Sequence, residues 1–191
     1  MTAVDLASHY LDEIRRQFRG HKRLAEGGMA QLTDEELLAA LDPESNSVAV
    51  IVKHISGNMR SRFTDFLTTD GEKPTRNRDQ DFELNSATTT RADLLRWWEE
   101  GWARVFEAIE GLKPEDLMRI VTIRGEPHTV VQAINRQVAH YSYHVGQIVF
   151  LAKHFRAKDW KTLSIPRGKS QEVNQRAMAD RKPGPSEPRS G

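Results

Sequence analysis

Apolar residues recur at helical spacing along almost the whole chain. Leu6, Tyr10, Ile14 and Phe18 repeat four apart and predict a first helix ending near Gly27-Gly28. Thr33, with Glu36 three residues later, has the form of a capping box and opens a short helix through Leu41 that stops at Pro43. Ser45-Asn46-Ser47 caps a second long helix, roughly Val48 to Leu67. The stretch from Thr68 to Ala87 carries Gly71, Pro74, Asn77 and Asn85 without an apolar period. It reads as a long surface loop, and a loop of that length in a compact domain is often functional. A third long helix is expected from about Thr90 to Gly111, then a turn at Lys113-Pro114-Glu115-Asp116 and a short extended piece at Val121 to Ile123. A fourth long helix starts near His128 and runs to about Phe155. After Trp160 the period is lost, and the polar stretch Ser170 to Gly191, with Pro183, Pro185 and Pro188, reads as a disordered tail. The expected fold is an all-α four-helix bundle with a long loop between its second and third helices. It occupies residues 1–169, and the tail occupies 170–191.

Composition narrows the chemistry. With 191 residues the chain can build one real core. It has no cysteine, so disulfides, cysteine ligands and a cysteine nucleophile are excluded, and any thiol must come from outside. The 28 basic and 27 acidic side chains leave a formal charge of +1, which calls for neither a nucleic-acid nor a membrane partner. The longest unbroken apolar run, Val48 to Val52, is far short of the ~20 residues that span a bilayer. The start of the chain, with Asp5, His9, Asp12 and Glu13, lacks the apolar core of a signal peptide, so the cytoplasm is the expected compartment.

The candidate chemistry lies in histidines. On the fourth helix, at ~100° per residue, His140 and His144 fall about 40° apart, inside the arc that also holds Ala133, Ile148 and Leu151. An H-x3-H pair places two imidazoles one turn apart on one face, where both can reach one ion. A pair of hydrogen-bonded core histidines is the other reading. On the second helix His54 shares a polar stripe with Asn58, Ser61, Arg62 and Asp65, bordering an apolar sector of Val52, Ile55, Met59 and Phe63. Such a stripe suits the wall of a cavity, though a solvated helix flank gives the same pattern. If the second and fourth helices are neighbours, three neutral imidazoles meet and coordination positions stay open, which is the catalytic rather than the structural arrangement. Imidazoles suit zinc, nickel, copper or iron; zinc and nickel are the first candidates for this divalent transition metal.

The phrases Lys53-His54-Ile55-Ser56-Gly57-Asn58 and His140-Tyr141-Ser142-Tyr143-His144-Val145-Gly146-Gln147 resemble the DinB-like superfamily, metal-binding bundles related to bacillithiol transferases. The resemblance covers roughly residues 5 to 156. It implies a four-helix bundle, a metal on His54, His140 and His144, and frequent homodimers. Characterised relatives include thiol S-transferases and a thiol-dependent isomerase. The segments Asn58 to Arg62, Thr69 to Pro74 and Trp160 to Ser170 look like one uncharacterised bacterial branch.

Other residues carry weaker signals. Trp98 and Trp102 share a face of the third helix and read as core, while Trp97 is a candidate for a pocket mouth. Tyr141 reads as core, with proton donation as an alternative, and His154 reads as a rim residue. Arg60, Arg62, Lys73, Arg76 and Arg78 gather around the end of the second helix and the loop. They either meet an anionic substrate or form a solvated surface. Gln137, one turn before His140, is a candidate to orient a ligand or to bond another helix. Asn58 and Asp65 are expected as polar support. The leading expectation is a metal-dependent enzyme, a thiol S-transferase or hydrolase acting on a small electrophile. The alternatives are a non-enzymatic metal-binding stress or interaction protein, and a helical dimer with structural histidines.

Overall fold

The computed structural model describes residues 3–180. The chain is mainly helical. Four long helices, α1 (Ala3–Met29), α3 (Val48–Phe63), α4 (Arg91–Glu110) and α5 (Val130–Arg156), are joined by the short α2 (Asp34–Leu38) and a two-stranded hairpin, and α6 (Ser170–Ala179) follows. Helix α3 packs on α4 and α5, and α1 packs on α5 and α4. The core takes Leu94, Trp98, Trp102, Val105 and Ile109 from α4, Ile134, Tyr141 and Ile148 from α5, and Leu11, Ile14 and Phe18 from α1, where the expected row is kept only in its second half: Leu6 is exposed and Tyr10 half-buried. Helix α3 is enclosed on most of its surface; even Ser56, Asn58, Ser61 and Arg62 are buried. One aromatic from each long helix meets at the centre. The Phe18 ring lies 6.2 Å from Phe63, 6.0 Å from Trp102 and 6.0 Å from Tyr141.

Helix ends follow local chemistry. Thr33, Thr90 and Thr129 each close a capping box, with Glu36, Asp93 and Gln132. Ser47 caps α3 by accepting from Val50 N–H. Thr90→Ala is expected to destabilise the fold by about 1 kcal/mol, read as a lower urea midpoint with an unchanged slope, because one of the exposed donors at the α4 start loses its acceptor.

Four boundaries differ from the sequence reading. Helix α2 stops at Leu38 rather than Leu41, because Ala39 turns extended. Helix α3 stops at Phe63 rather than Leu67, because Thr64 turns extended and Asp65 adopts φ 49°, a left-handed conformation in which its carbonyl accepts from the N–H groups of Thr68 and Thr69. His128 is not helical. It sits in β2 (Glu126–Thr129), which pairs antiparallel with β1 (Ile120–Ile123) through a two-residue turn with Arg124 at φ 58° and Gly125 at φ 76°. The expected disordered tail begins instead with the exposed helix α6, whose helix-favouring composition is supported by a Glu172–Arg176 pair one turn apart. The remainder of that tail, 181–191, lies outside the described residues.

The segment 64–90 is not a free surface loop. Gly71 N–H donates to Thr122 O, while Ser61 Oγ and the Arg62 guanidinium donate to Gly71 O. Asp70 accepts from the backbone N–H groups of Glu72, Gly125 and Arg124, which holds its carboxyl down to about 2. These bonds tie the segment to the end of α3 and to the hairpin turn. They carry its next residues, through a 3₁₀ turn at Asp79–Asp81, back against α3 beside His54.

Candidate metal centre

His54 on α3 and His140 and His144 on α5 converge, although 86 residues separate the first two. One ring nitrogen from each lies within 4.8 Å of the others. His54 Nε2 and His140 Nε2 are 3.3 Å apart. Two nitrogens bound to one zinc at about 2.1 Å in a tetrahedron stand about 3.4 Å apart, so this pair is already at ligand spacing. His54 and His144 are 4 % and 8 % exposed, and His140 is half-buried.

Two of the three rings have an acceptor behind them. His144 Nδ1 lies 2.8 Å from Gln147 Oε1. A proton on Nδ1 makes that hydrogen bond and leaves the Nε2 lone pair facing inward. His54 Nδ1 faces Asp81 Oδ2 at 3.6 Å, and its ring stacks on Phe82 at 4.5 Å between centroids. Asp81 is held in turn by the guanidinium of Arg76, at 2.6 Å. Burial alone pushes the Asp81 carboxyl up; the neighbouring His54 and Arg76 outweigh it, and the carboxyl lies below the ordinary aspartate range. Gly57 makes the approach possible, since a Cβ there would sit 2.5 Å from Asp81 Oδ1.

His140 and His144 are held neutral near pH 7. Burial, with the nearby His144 and His54, lowers His140 to about 3, and burial lowers His144 to about 4 despite the opposing bond to Gln147. Around these rings stand His54, Asp81 and the cations Arg62 and Arg76. An unfolded imidazole titrates near 6.5, so between that value and about 4 the unfolded chain binds more protons than the folded one. The stability this neutrality permits is complete above about pH 6.5 and is lost as the pH falls. The urea midpoint of metal-free protein is therefore expected to drop between pH 6.5 and 4, and to drop less in a His140→Ala/His144→Ala double variant. Parallel pH profiles would show that these rings do not carry the effect.

Of the supporting residues expected from sequence, Asn58, Arg62 and Gln137 line the same cleft, whose volume is about 480 Å³. Asn58 does not bond His54; its Oδ1 accepts from the buried Tyr141 hydroxyl at 3.0 Å, below the histidines. Gln137 bonds no other helix, and its buried Oε1 has no partner among the described residues. Asp65 is not part of the cleft. The early end of α3 leaves it exposed, and it borders a separate cavity with Lys73. Trp97 is absent from the cleft wall and packs beside Lys53 and Arg96. His154 is exposed and remote from the three histidines. Asp81, Phe82 and Gln147 escaped the sequence reading as functional residues. The first two lie in a stretch with no period to mark them, and Gln147 sits three residues past His144, a spacing that offers a signal.

The donor set fits a divalent transition metal: two neutral imidazoles and His54, orienting acceptors behind two of the rings, and nitrogens close enough that a shared cation relieves their lone-pair repulsion. One side remains open to the cleft. The model of DUF1572, a family of proteins of unknown function, matches residues 5–169. No curated protein matches the chain.

Proposed function

Because the chain belongs to DUF1572, a DinB-like family of proteins of unknown function, we propose that it is a metal-dependent enzyme whose divalent ion is held by His54, His140 and His144 on a four-helix bundle. The observation that carries this reading is the convergence of the three imidazoles at one end of an open cleft. A zinc or nickel ion there supplies Lewis acidity, which lowers the pKa of a bound water or thiol. The chain has no thiol of its own, so an S-transfer reaction takes a low-molecular-weight thiol from solution and a small electrophile as its second substrate. Hydrolysis is the same reading with water in place of the thiol. Gln147 bonds His144 Nδ1 and the Asp81 carboxylate stands 3.6 Å from His54 Nδ1, which favours Nε2 of both rings as the ligand atom, and the buried Gln137 amide offers a polar contact to whatever enters.

A homodimer belongs to the same proposal. It is supported by the exposed apolar side chains of Leu6, Met118 and Ile120, and light scattering on the eluting protein tests it. No helix among the described residues is long and apolar enough to cross a membrane.

Elemental analysis of untagged protein, followed by turnover of a panel of thiols with electrophiles and of esters, tests the reading. One equivalent of metal and thiol- or ester-dependent turnover are expected. Bound metal with no turnover across the panel favours a non-enzymatic metal-binding role, and failure to bind zinc or nickel removes the metal reading altogether.

A further inference from the structure

The cleft above the histidines is strongly cationic, in a chain whose formal charge is only +1. Five guanidinium groups line it: Arg62, Arg76, Arg78, Arg124 and Arg136, with no carboxylate among the lining side chains. Three of them are answered from behind the wall. Arg62 and Arg124 each reach Glu72 at 2.9 Å, and Arg76 is paired with Asp81. Arg78 and Arg136 are different. Neither side chain has a carboxylate oxygen within 4.0 Å or a hydrogen-bond acceptor among the described residues.

Both are nevertheless placed relative to the histidines. Arg136 stands one helical turn before His140 and two before His144, on the same row of α5. Arg78 lies over the Phe82 ring at 5.3 Å, and that ring stacks on His54 at 4.5 Å, so Arg78 is no farther from His54 than the sum of these two steps. The two unanswered cations thus flank the open side of the histidine cluster. A guanidinium presents paired donors to a planar or tetrahedral oxyanion.

We infer that the substrate carries a carboxylate or phosphate group gripped by Arg78 and Arg136, with its reacting end directed at the histidines. This assignment rests on the reading of the cleft as the reacting site and names the substrate class that the site selects. The grip orients the molecule, because a neutral analogue has no partner for either guanidinium. It also makes binding weaken with added salt, as both side chains are exposed.

The test titrates the full chain, zinc-loaded and metal-free, with succinate, glycerol phosphate and neutral succinamide by calorimetry at low ionic strength. One or both anions are expected to bind, succinamide at least tenfold more weakly, and the Arg78→Gln/Arg136→Gln variant to lose about tenfold or more in anion affinity while retaining its zinc affinity. Tighter succinate assigns a carboxylate, and tighter glycerol phosphate assigns a phosphate. Equal binding of succinamide, undiminished anion binding in the double variant, or no binding of either anion overturns the inference. Failure of the metal reading is separate: zinc then does not bind wild-type protein, while the arginine-dependent anion affinity of metal-free protein is unaffected.

Discussion

His144→Ala is expected to weaken zinc or nickel binding by more than about a hundredfold and to leave the helical circular-dichroism spectrum of the metal-free protein unchanged. The size follows from the ligand count. With His144 gone, only His54 and His140 remain at ligand spacing, and two imidazoles leave the ion mostly to water. Loss of an orienting partner alone typically costs 10–100-fold in affinity, so loss of a ligand exceeds that range. The fold survives because its core lies elsewhere: Phe18, Phe63, Trp102 and Tyr141 join the four long helices beneath the cleft. His154→Ala, which removes an exposed histidine from the same helix, serves as the control and is expected to bind metal as wild type does. Competition with a chromophoric chelator measures both. Wild-type affinity in His144→Ala would place the metal on other groups and end the reading of the three histidines as a centre.

How much of this was legible in the residues depends on whether the information is local. The apolar rows of α4 and α5, Ile14 and Phe18 of α1, and the caps at Thr33 and Ser47 are local, and they appear where the sequence pattern puts them, whereas Leu6 at the start of the α1 row is exposed. His140 and His144 fall on the inner face of α5 for the same reason. The convergence of His54 with them needed only the adjacency of two helices. The failures share a different cause. Periodicity places Asp65 on the α3 stripe because it does not register a left-handed residue two positions past the helix end. Asp81 and Phe82 sit in a segment shaped by tertiary hydrogen bonds, in which Gly71 pairs with Thr122 and Asp70 gathers N–H groups from the hairpin turn. Nothing in the sequence near Asp81 states that it returns to His54. Sequence alone leaves the arginines of that region open between a solvated surface and an anion site. Arg62 and Arg76 are buried in ion pairs, whereas Arg78 has no carboxylate partner among the described residues, and it is this difference that the anion-site proposal uses.

The dependence of the centre on this segment can be tested at a residue that touches no metal. Gly57→Ala is expected to weaken metal binding by about 10–100-fold with all three histidines intact. A Cβ at position 57 would lie 2.5 Å from Asp81 Oδ1, closer than side-chain carbons approach any atom without a shift. Arg76 holds the other oxygen, Oδ2, at 2.6 Å, so relieving the clash displaces the carboxylate and its Arg76 partner together. The carboxylate therefore leaves His54 Nδ1, and the ring loses the charge that favours its correct tautomer and direction. Helix α3 itself is not the weak point, since alanine is favoured over glycine in a helix interior by about 0.5–1 kcal/mol. The decisive comparison is a cycle with Asp81→Ala. If Gly57 acts only by admitting Asp81, its substitution costs nothing further once that carboxylate is absent, and the double variant binds metal like Asp81→Ala alone. Additive losses would mean that Gly57 acts through the α3 backbone instead. Wild-type affinity in Gly57→Ala would show that His54 needs no carboxylate behind it.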